Sequence, residues 1–367
     1  MKIIILGAGA STDTVNPAIT EILRTHAGDL VRRVQLRHQS WAPPLGDQLF
    51  SDNYSEIMAH YPSVNAVSGT IASRMVRDNL SLEECLESLL IESDKLRDRK
   101  RDIANIKYYL QELLLTCSEA AHQQKMNYAK LIDNLNVSGQ EYCIITFNYD
   151  TLLEHCMTES LKHNLGTMLA YTAHPKIKII KVHGSCNWHR YIDDMIPNNV
   201  GNPEDDAMRV VNEFPEVVLS EFSGNLNSFH IHDHLSRGIR QKDNTNMLLV
   251  PALALPVATR KNKFECPDAH LKVMRECLQK ADKILSIGWR GAEQLFMAEL
   301  EKYLPVAIEW TIVSLNKEGC KTTLDNIQQQ LTTSQEGRVQ GRGDQFIEKM
   351  GGFSGYVDSK DFQDFLQ

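Results

Sequence analysis

The run Ile3-Ile4-Ile5-Leu6 passes into Gly7-Ala8-Gly9-Ala10-Ser11 with no polar residue between them. An unbroken apolar run of this length fits a strand buried on both faces, the condition of a strand inside a parallel sheet. Glycine directly after it fits a strand-to-helix turn. The arrangement recurs down the chain. Residues 142–146 end in Phe147-Asn148-Tyr149-Asp150, with a helix through Leu152, Leu153 and His155 behind them. Residues 177–182 run into His183-Gly184-Ser185, residues 247–250 into Pro251, and residues 283–287 into Gly288-Trp289-Arg290-Gly291. The last such run is 310–316, and 269–280 reads as a helix. Short continuous strands alternating with helices predict an α/β fold: a parallel sheet flanked by helices and joined by right-handed crossovers.

The stretches between the strands set the organisation. Residues 12–50 are mixed, with turn signals at Asn16-Pro17 and Pro43-Pro44-Leu45-Gly46. Residues 51–140 read as a helical insertion. Ser81-Leu82-Glu83-Glu84 has the form of a capping box, and Leu82, Cys85, Leu86, Leu89 and Leu90 then share one helical face. Helical character continues from Ile106 to Leu115. Residues 190–245 are polar throughout and predict a smaller irregular insertion or lid. The sheet-bearing core is accordingly placed at 1–50, 141–189 and 246–332. Residues 333–344 read as a linker. The tail 345–367 carries Phe346, Ile347, Phe353, Tyr356, Phe362 and Phe365, and is expected to dock on the body or on a partner.

Composition removes some functions. With 42% apolar and 23% charged residues the 367-residue chain is ordinary for a globular protein. A net charge of −8 argues against direct nucleic-acid binding, which needs clustered Lys and Arg. The eight cysteines include no C-x-x-C pair, and no H-E-x-x-H spacing occurs, so no metal is expected. They read as reduced thiols of a cytosolic core. Residues 1–6 are too short for a signal peptide, and no window approaches the roughly 20 apolar residues of a membrane span. The expectation is a soluble, cytoplasmic protein.

Ligands of open parallel sheets bind beyond the carboxyl ends of the strands. The groups leaving those ends here are glycine, hydroxyl, amide, imidazole and carboxylate, at 7–11, 147–150, 183–185, 288–291 and Asn316. That convergence predicts a polar site. Gly-Ala-Gly-Ala-Ser after a strand is a phosphate-loop signal, because glycine admits the phosphate to the backbone and the next helix aims N–H groups at it. The third glycine of the full dinucleotide motif is missing, with Thr12 in its place, and a plain tight turn fits the same residues. Asn148 fits either a backbone-capping amide or a hydrogen bond to a ribose hydroxyl or carboxamide. Asp150 fits the N-cap of the following helix. His183 stands where an acid–base or orienting imidazole would serve; His189 is less well placed. Gly288 would allow close backbone approach to a ligand, with Ser286 and Arg290 near a phosphate, or would simply make a turn.

Taken in order, these elements resemble the sirtuin superfamily, and more closely the bacterial sirtuin-like NAD hydrolases of anti-phage defence. Residues 7–11 resemble the family's glycine-alanine-glycine-x-serine loop. Thr146-Phe147-Asn148-Tyr149-Asp150 resembles its T-x-N-x-D element, and Val182-His183-Gly184 its catalytic histidine-glycine step. Ile287-Gly288 and Ser314-Leu315-Asn316 resemble the later strand ends that hold ribose and adenine. Pro43-Pro44-Leu45-Gly46, followed by Leu49-Phe50, is similar to a stretch of the defence branch. The resemblance covers residues 1–316. The G-I-P-D-F-R stretch and the zinc cysteines of the deacylating sirtuins are absent, and Phe147 stands where they carry Gln.

The resemblance implies a Rossmann-like fold and NAD as substrate. It implies nucleotide contacts at Gly7, Ala8, Gly9, Ala10, Ser11, Gly288, Trp289, Arg290 and Asn316. It implies catalytic roles for Asn148 and His183, with Asp150 either steadying a cationic ribose or capping its helix. The implied reaction is cleavage of the nicotinamide–ribose bond to nicotinamide and ADP-ribose. Unchecked, such cleavage would kill the host, so a gate is implied. About fifty residues follow the expected sheet, too few for a separate sensor domain. Gating is therefore expected from a homo-oligomer or a partner chain, and relatives are encoded beside a DNA-translocating ATPase or a short Argonaute. The alternatives are a non-catalytic NAD or ADP-ribose sensing module and, behind it, an NAD-dependent deacylase.

Overall fold

The computed structural model describes residues 1–14, 43–94, 96–122, 127–192, 210–232, 239–242, 245–257, 263–305, 307–333 and 344–367. Its strands in chain order begin with β1 (Lys2–Leu6), β2 (Tyr142–Thr146), β3 (Ile177–Lys181), β4 (Gly184–Ile192), β5 (Ser223–Gly224) and β6 (Phe229–Ile231). Next come β7 (Ile239–Lys242), β8 (Thr245–Leu253), β9 (Cys266–Pro267), β10 (Lys283–Ile287), β11 (Glu309–Val313) and β12 (Gln345–Lys349). Six of them form one sheet in the order β12-β11-β10-β1-β2-β3, and every neighbouring pair is parallel. Counted by place in the chain, the order across this sheet is 3-2-1-4-5-6. That is the doubly wound Rossmann order, with its reversal between β1 and β10. Every residue of β1 and β2 is buried, which is why neither needs polar alternation.

The longer helices are α1 (Ala8–Thr14), α2 (Pro62–Arg77), α3 (Leu82–Ser93), α4 (Arg97–Ala121), α5 (Asn127–Ser138) and α6 (Leu152–Leu161). They continue as α7 (Asp268–Gln279), α8 (Gln294–Tyr303), α9 (Lys317–Thr333), α10 (Gly352–Val357) and α11 (Lys360–Leu366). The capping box at the start of α3 is formed: the Ser81 hydroxyl accepts from the Glu84 N–H at 3.2 Å, and the Ser81 N–H donates to Glu84 Oε2 at 2.7 Å. No helix among the described residues is long and apolar enough to cross a membrane.

Two apolar cores result. The first surrounds the parallel sheet and includes Tyr128, Leu131, Ile132 and Leu135 of α5. The second joins α2, α3 and most of α4 to Cys186 of β4 and Val250 and Leu253 of β8. The stretch 51–140 therefore divides, its last helix packing with the parallel sheet. A buried ionic group ties α4 to the second sheet. Lys107 Nζ lies 3.9 Å from Glu265 Oε2, and Arg190 Nε 3.6 Å from Glu265 Oε1. Burial pushes the Lys107 amine down to about 8 and the Glu265 carboxyl up. Arg190 also donates to the carbonyls of Val217 and Ser220 at 2.7 and 2.6 Å, which offsets part of its desolvation.

Three expectations need correction. The run 247–250 is not in the parallel sheet: it lies in β8, within an antiparallel sheet ordered β6-β4-β8-β7. A continuous apolar run reports burial on both faces, not the direction of the neighbouring strand. Where 190–245 is described it is partly regular, supplying the end of β4 and all of β5, β6 and β7; 193–209, 233–238 and 243–244 lie outside the described residues. The last strand is β12, not the run at 310–316, and the two helices beyond it, α10 and α11, pack into the body. Phe353, Tyr356, Phe362 and Phe365 are buried in the first core. Lys2 Nζ donates to the Phe365 carbonyl at 2.6 Å, satisfying an acceptor that the end of α11 leaves open. Asn16-Pro17 and 334–343 lie outside the described residues.

Candidate active site

Asn148 stands two residues past the end of β2 and is 7% exposed. Its Nδ2 donates to the Gly7 carbonyl at 2.9 Å and to Ser11 Oγ at 2.8 Å, with Tyr128 Oη at 3.3 Å. A carbonyl can only accept, so the Gly7 contact fixes which end of the amide is nitrogen. The described residues give Oδ1 no hydrogen bond, so it is the acceptor this side chain still has to offer. Asn148 and Ser11 are brought together as expected. Tyr128, which sequence reasoning missed, completes the group: its hydroxyl lies 3.0 Å from Ser11 Oγ. Burial holds the Tyr128 phenol well above its ordinary value, so it stays protonated.

His183 sits between β3 and β4 and is 6% exposed. The Phe147 ring meets it edge-on with centroids 5.1 Å apart, and the Tyr149 ring lies nearly parallel at 6.1 Å. The two residues that flank Asn148 in the chain thus hold the imidazole. Further contacts fix the loop that joins them. The Tyr149 carbonyl accepts from the Cys186 N–H at 2.8 Å and from Ser185 Oγ at 3.1 Å. Lys181, fully buried at the end of β3, donates to the Asp150 carbonyl and at 2.7 Å to Glu154 Oε1. Tyr171 Oη donates to the same Glu154 oxygen, and Trp188 Nε1 donates to Tyr171 Oη, each at 3.1 Å. This Lys181–Glu154 pair was also missed. Its signal is a lysine closing an otherwise apolar run, since a buried lysine needs a partner.

Asp150 is not the N-cap of α6, which is Thr151, but stands one residue before it, its Oδ1 accepting from the Leu152 N–H at 3.2 Å. His189 lies apart in β4, with Nε2 3.0 Å from Gln111 Nε2.

The glycine loop is packed differently from a bare phosphate cradle. The Gly7 N–H donates to the Ile287 carbonyl at 3.0 Å, the Gly9 N–H to Gly288 at 3.3 Å, and the Ala10 N–H to Gly7 at 2.9 Å. Three of the N–H groups expected to face a phosphate therefore have acceptors within the protein. Gly288 has φ +60°, and a Cβ there would lie 2.6 Å from Gly9 C and 2.7 Å from Gly9 Cα. The close approach expected at Gly288 is thus made by the Gly7–Gly9 loop, at the reversal between β1 and β10. Sequence alone does not separate a glycine kept clear for a ligand from one kept clear for a neighbouring backbone.

The other residues expected at the nucleotide have the following neighbours within the protein. Trp289 is buried, with its indole N–H on Glu293 Oε2 at 2.6 Å and its ring stacked on Phe147 at 5.7 Å. The Arg290 and Ala8 side chains are exposed. The Ser286 hydroxyl is buried in the sheet without a hydrogen bond among the described residues. One face of α9 supports the turn after β10. Thr323, Asn326 and Gln330 donate to the carbonyls of Trp289, Arg290 and Gly291 at 2.9, 2.8 and 2.7 Å. Asn316 is the N-cap of that helix, its Oδ1 accepting from the Gly319 N–H at 2.9 Å. Asn316→Ala should therefore lower the unfolding free energy by about 1 kcal/mol. Urea denaturation measures it, and an unchanged midpoint would show that the cap contributes nothing.

No family model matches this sequence, and no curated protein does. Among solved structures it is similar to a Sir2 homologue–NAD complex, at 12% identity and TM-score 0.41, over 100% of this chain and 90% of that one. It is similar to Sir2Tm bound to a propionylated peptide, at 11% identity and TM-score 0.36, over 100% and 94%. A Sir2 homologue mutant in complex with 2'-O-acetyl ADP ribose gives 11% and 0.36, over 92% and 94%. Likeness at this level decides nothing about the chain, whose fold stands on its own strand order.

Proposed function

We propose that this chain is an NAD hydrolase that cleaves the nicotinamide–ribose bond. The observation that carries the reading is the meeting of three groups at the carboxyl edge of a 3-2-1-4-5-6 sheet. They are the glycine loop at the reversal of strand order, an amide whose NH2 is pinned to that loop, and an imidazole held by the residues on either side of the amide. The motif resemblance points to the same chemistry.

In this reading the bond between ribose C1′ and the nicotinamide nitrogen breaks, and its electron pair leaves with neutral nicotinamide. Positive charge develops on the ribose. Asn148 Oδ1 accepts from the attacking water or a ribose hydroxyl, a role open to it because Nδ2 is committed elsewhere. His183 takes the proton as the water oxygen bonds to C1′. Asp150 acts through the start of α6 and fixes the loop. The products are ADP-ribose, nicotinamide and a proton. Activity of this kind is gated, by self-assembly or by a partner chain such as the DNA-translocating ATPase or short Argonaute of similar defence systems, and its role is to deplete NAD on infection.

The test incubates purified protein with NAD, alone and with the product of the neighbouring gene, and follows free nicotinamide and ADP-ribose. Equal release of both is expected. Tight NAD binding without turnover in every condition would overturn the hydrolase reading in favour of a sensing module. Turnover only with an acylated peptide would overturn it in favour of a deacylase.

A further inference from the structure

The first two residues of α5 hold three separate parts of the molecule. Asn127 Nδ2 donates to the Asp13 carbonyl at the end of α1, at 2.8 Å, and to Ser354 Oγ of α10, at 2.9 Å. Ser354 in turn donates its N–H and its hydroxyl to the Asp13 carboxylate at 2.9 and 2.7 Å. One residue on, the Tyr128 ring packs on Phe353 of α10 with centroids 5.4 Å apart, and its hydroxyl reaches Ser11 and Asn148. Asn148 Nδ2 has two hydrogens. One goes to the Gly7 carbonyl; the other lies between Ser11 Oγ and Tyr128 Oη. Those two hydroxyls decide the tilt of the amide plane, and with it where Oδ1 stands.

We infer that Tyr128 is a positioning residue for Asn148, seated by Phe353 of the C-terminal segment, so that α10 must be docked on α1 for the amide to hold its working orientation. The inference rests on the hydrolase reading for its effect on turnover, but its structural half does not. Tyr128→Phe removes the hydroxyl and keeps the ring on Phe353. Phe353→Leu keeps the hydroxyl and loosens the ring.

The experiment reads the side-chain NH2 of Asn148 by NMR in protein labelled with 15N-asparagine, the signal being the one missing from Asn148→Ala. Its hydrogen exchange is expected to speed up by about tenfold in Tyr128→Phe, the equivalent of one lost hydrogen bond. Phe353→Leu should change it in the same direction. The companion kinetics should show kcat for NAD cleavage lowered by about tenfold at unchanged KM, with an unfolding midpoint near wild type. Unchanged exchange in a folded Tyr128→Phe overturns the proposal whatever the activity. Faster exchange with wild-type kcat overturns the link to turnover. If the wild-type protein cleaves no NAD, the hydrolase reading fails and the exchange measurement still decides the role of Tyr128.

Discussion

Asn148→Ala should abolish most NAD cleavage while leaving the protein folded. Losing one group that meets developing charge or the nucleophile lowers kcat by about 10²–10³. The structure says why the fold survives. The Gly7 carbonyl keeps the Ala10 N–H as donor, and Ser11 and Tyr128 keep each other, so the substitution orphans none of them. The stability cost is therefore about 1 kcal/mol. His183→Ala removes the proton acceptor of the proposed reaction and should lower kcat by about 10²–10⁴. It also leaves a gap between Phe147 and Tyr149, for a cost of roughly 0.5–3 kcal/mol. Nicotinamide release and an unfolding midpoint, measured on the same preparations, separate the two effects. Wild-type-like NAD loss from either folded variant would sink the assignment of roles.

Gly184→Ala should cost on the order of 4 kcal/mol, the largest stability effect of a single methyl group expected here. Gly184 has φ +75°, where a side chain is strained whatever the space. Space is lacking too. A Cβ would overlap the Ala252 carbonyl oxygen and stand 2.8 Å from its carbon and 2.9 Å from Leu253 Cα. All three are backbone atoms of β8, which pairs with β4 at this point, and Ala254 N–H donates to His183 O at 2.9 Å. Neither strand can yield without moving His183. Gly139→Ala serves as the control, since Gly139 has φ +78° with nothing within 4 Å. It should lose only the conformational part, about 1–2 kcal/mol. Equal urea midpoints for the two variants would show that crowding at Gly184 plays no part.

The sequence made some of this legible and hid the rest for identifiable reasons. Residues 142–146 read as a strand because a parallel strand covered on both faces is a short, mostly apolar run. Ser81 and Glu84 read as a capping box because a cap is local, settled by residues three apart. β12 was missed because it is an edge strand, half in solvent, and its Gln-Phe-Ile-Glu-Lys neither alternates nor stays apolar. That Asn148 and His183 stand just after strands was legible. Tyr128 was not, because nothing in a helix marks which tyrosine will meet a loop twenty residues later and a tail far beyond it. Gly288 and Trp289 carry the sequence signal of a ligand turn, which does not show that Gly9 and Phe147 are their neighbours in the fold.

The place of β1 bears on how the protein is made. Ile3 to Leu6 leave the ribosome well before their sheet neighbours, Tyr142–Thr146 and Lys283–Ile287. At about 5–20 residues per second, the strand waits on the order of tens of seconds for its second partner. Until Tyr142–Thr146 follow, its four wholly apolar residues have no strand to pair with and are open to chaperones or to other nascent chains. The glycine loop cannot close on Gly288 before then, nor can α10 reach Asp13. Whatever these parts do together, they cannot do it before the residues of α10 have been made.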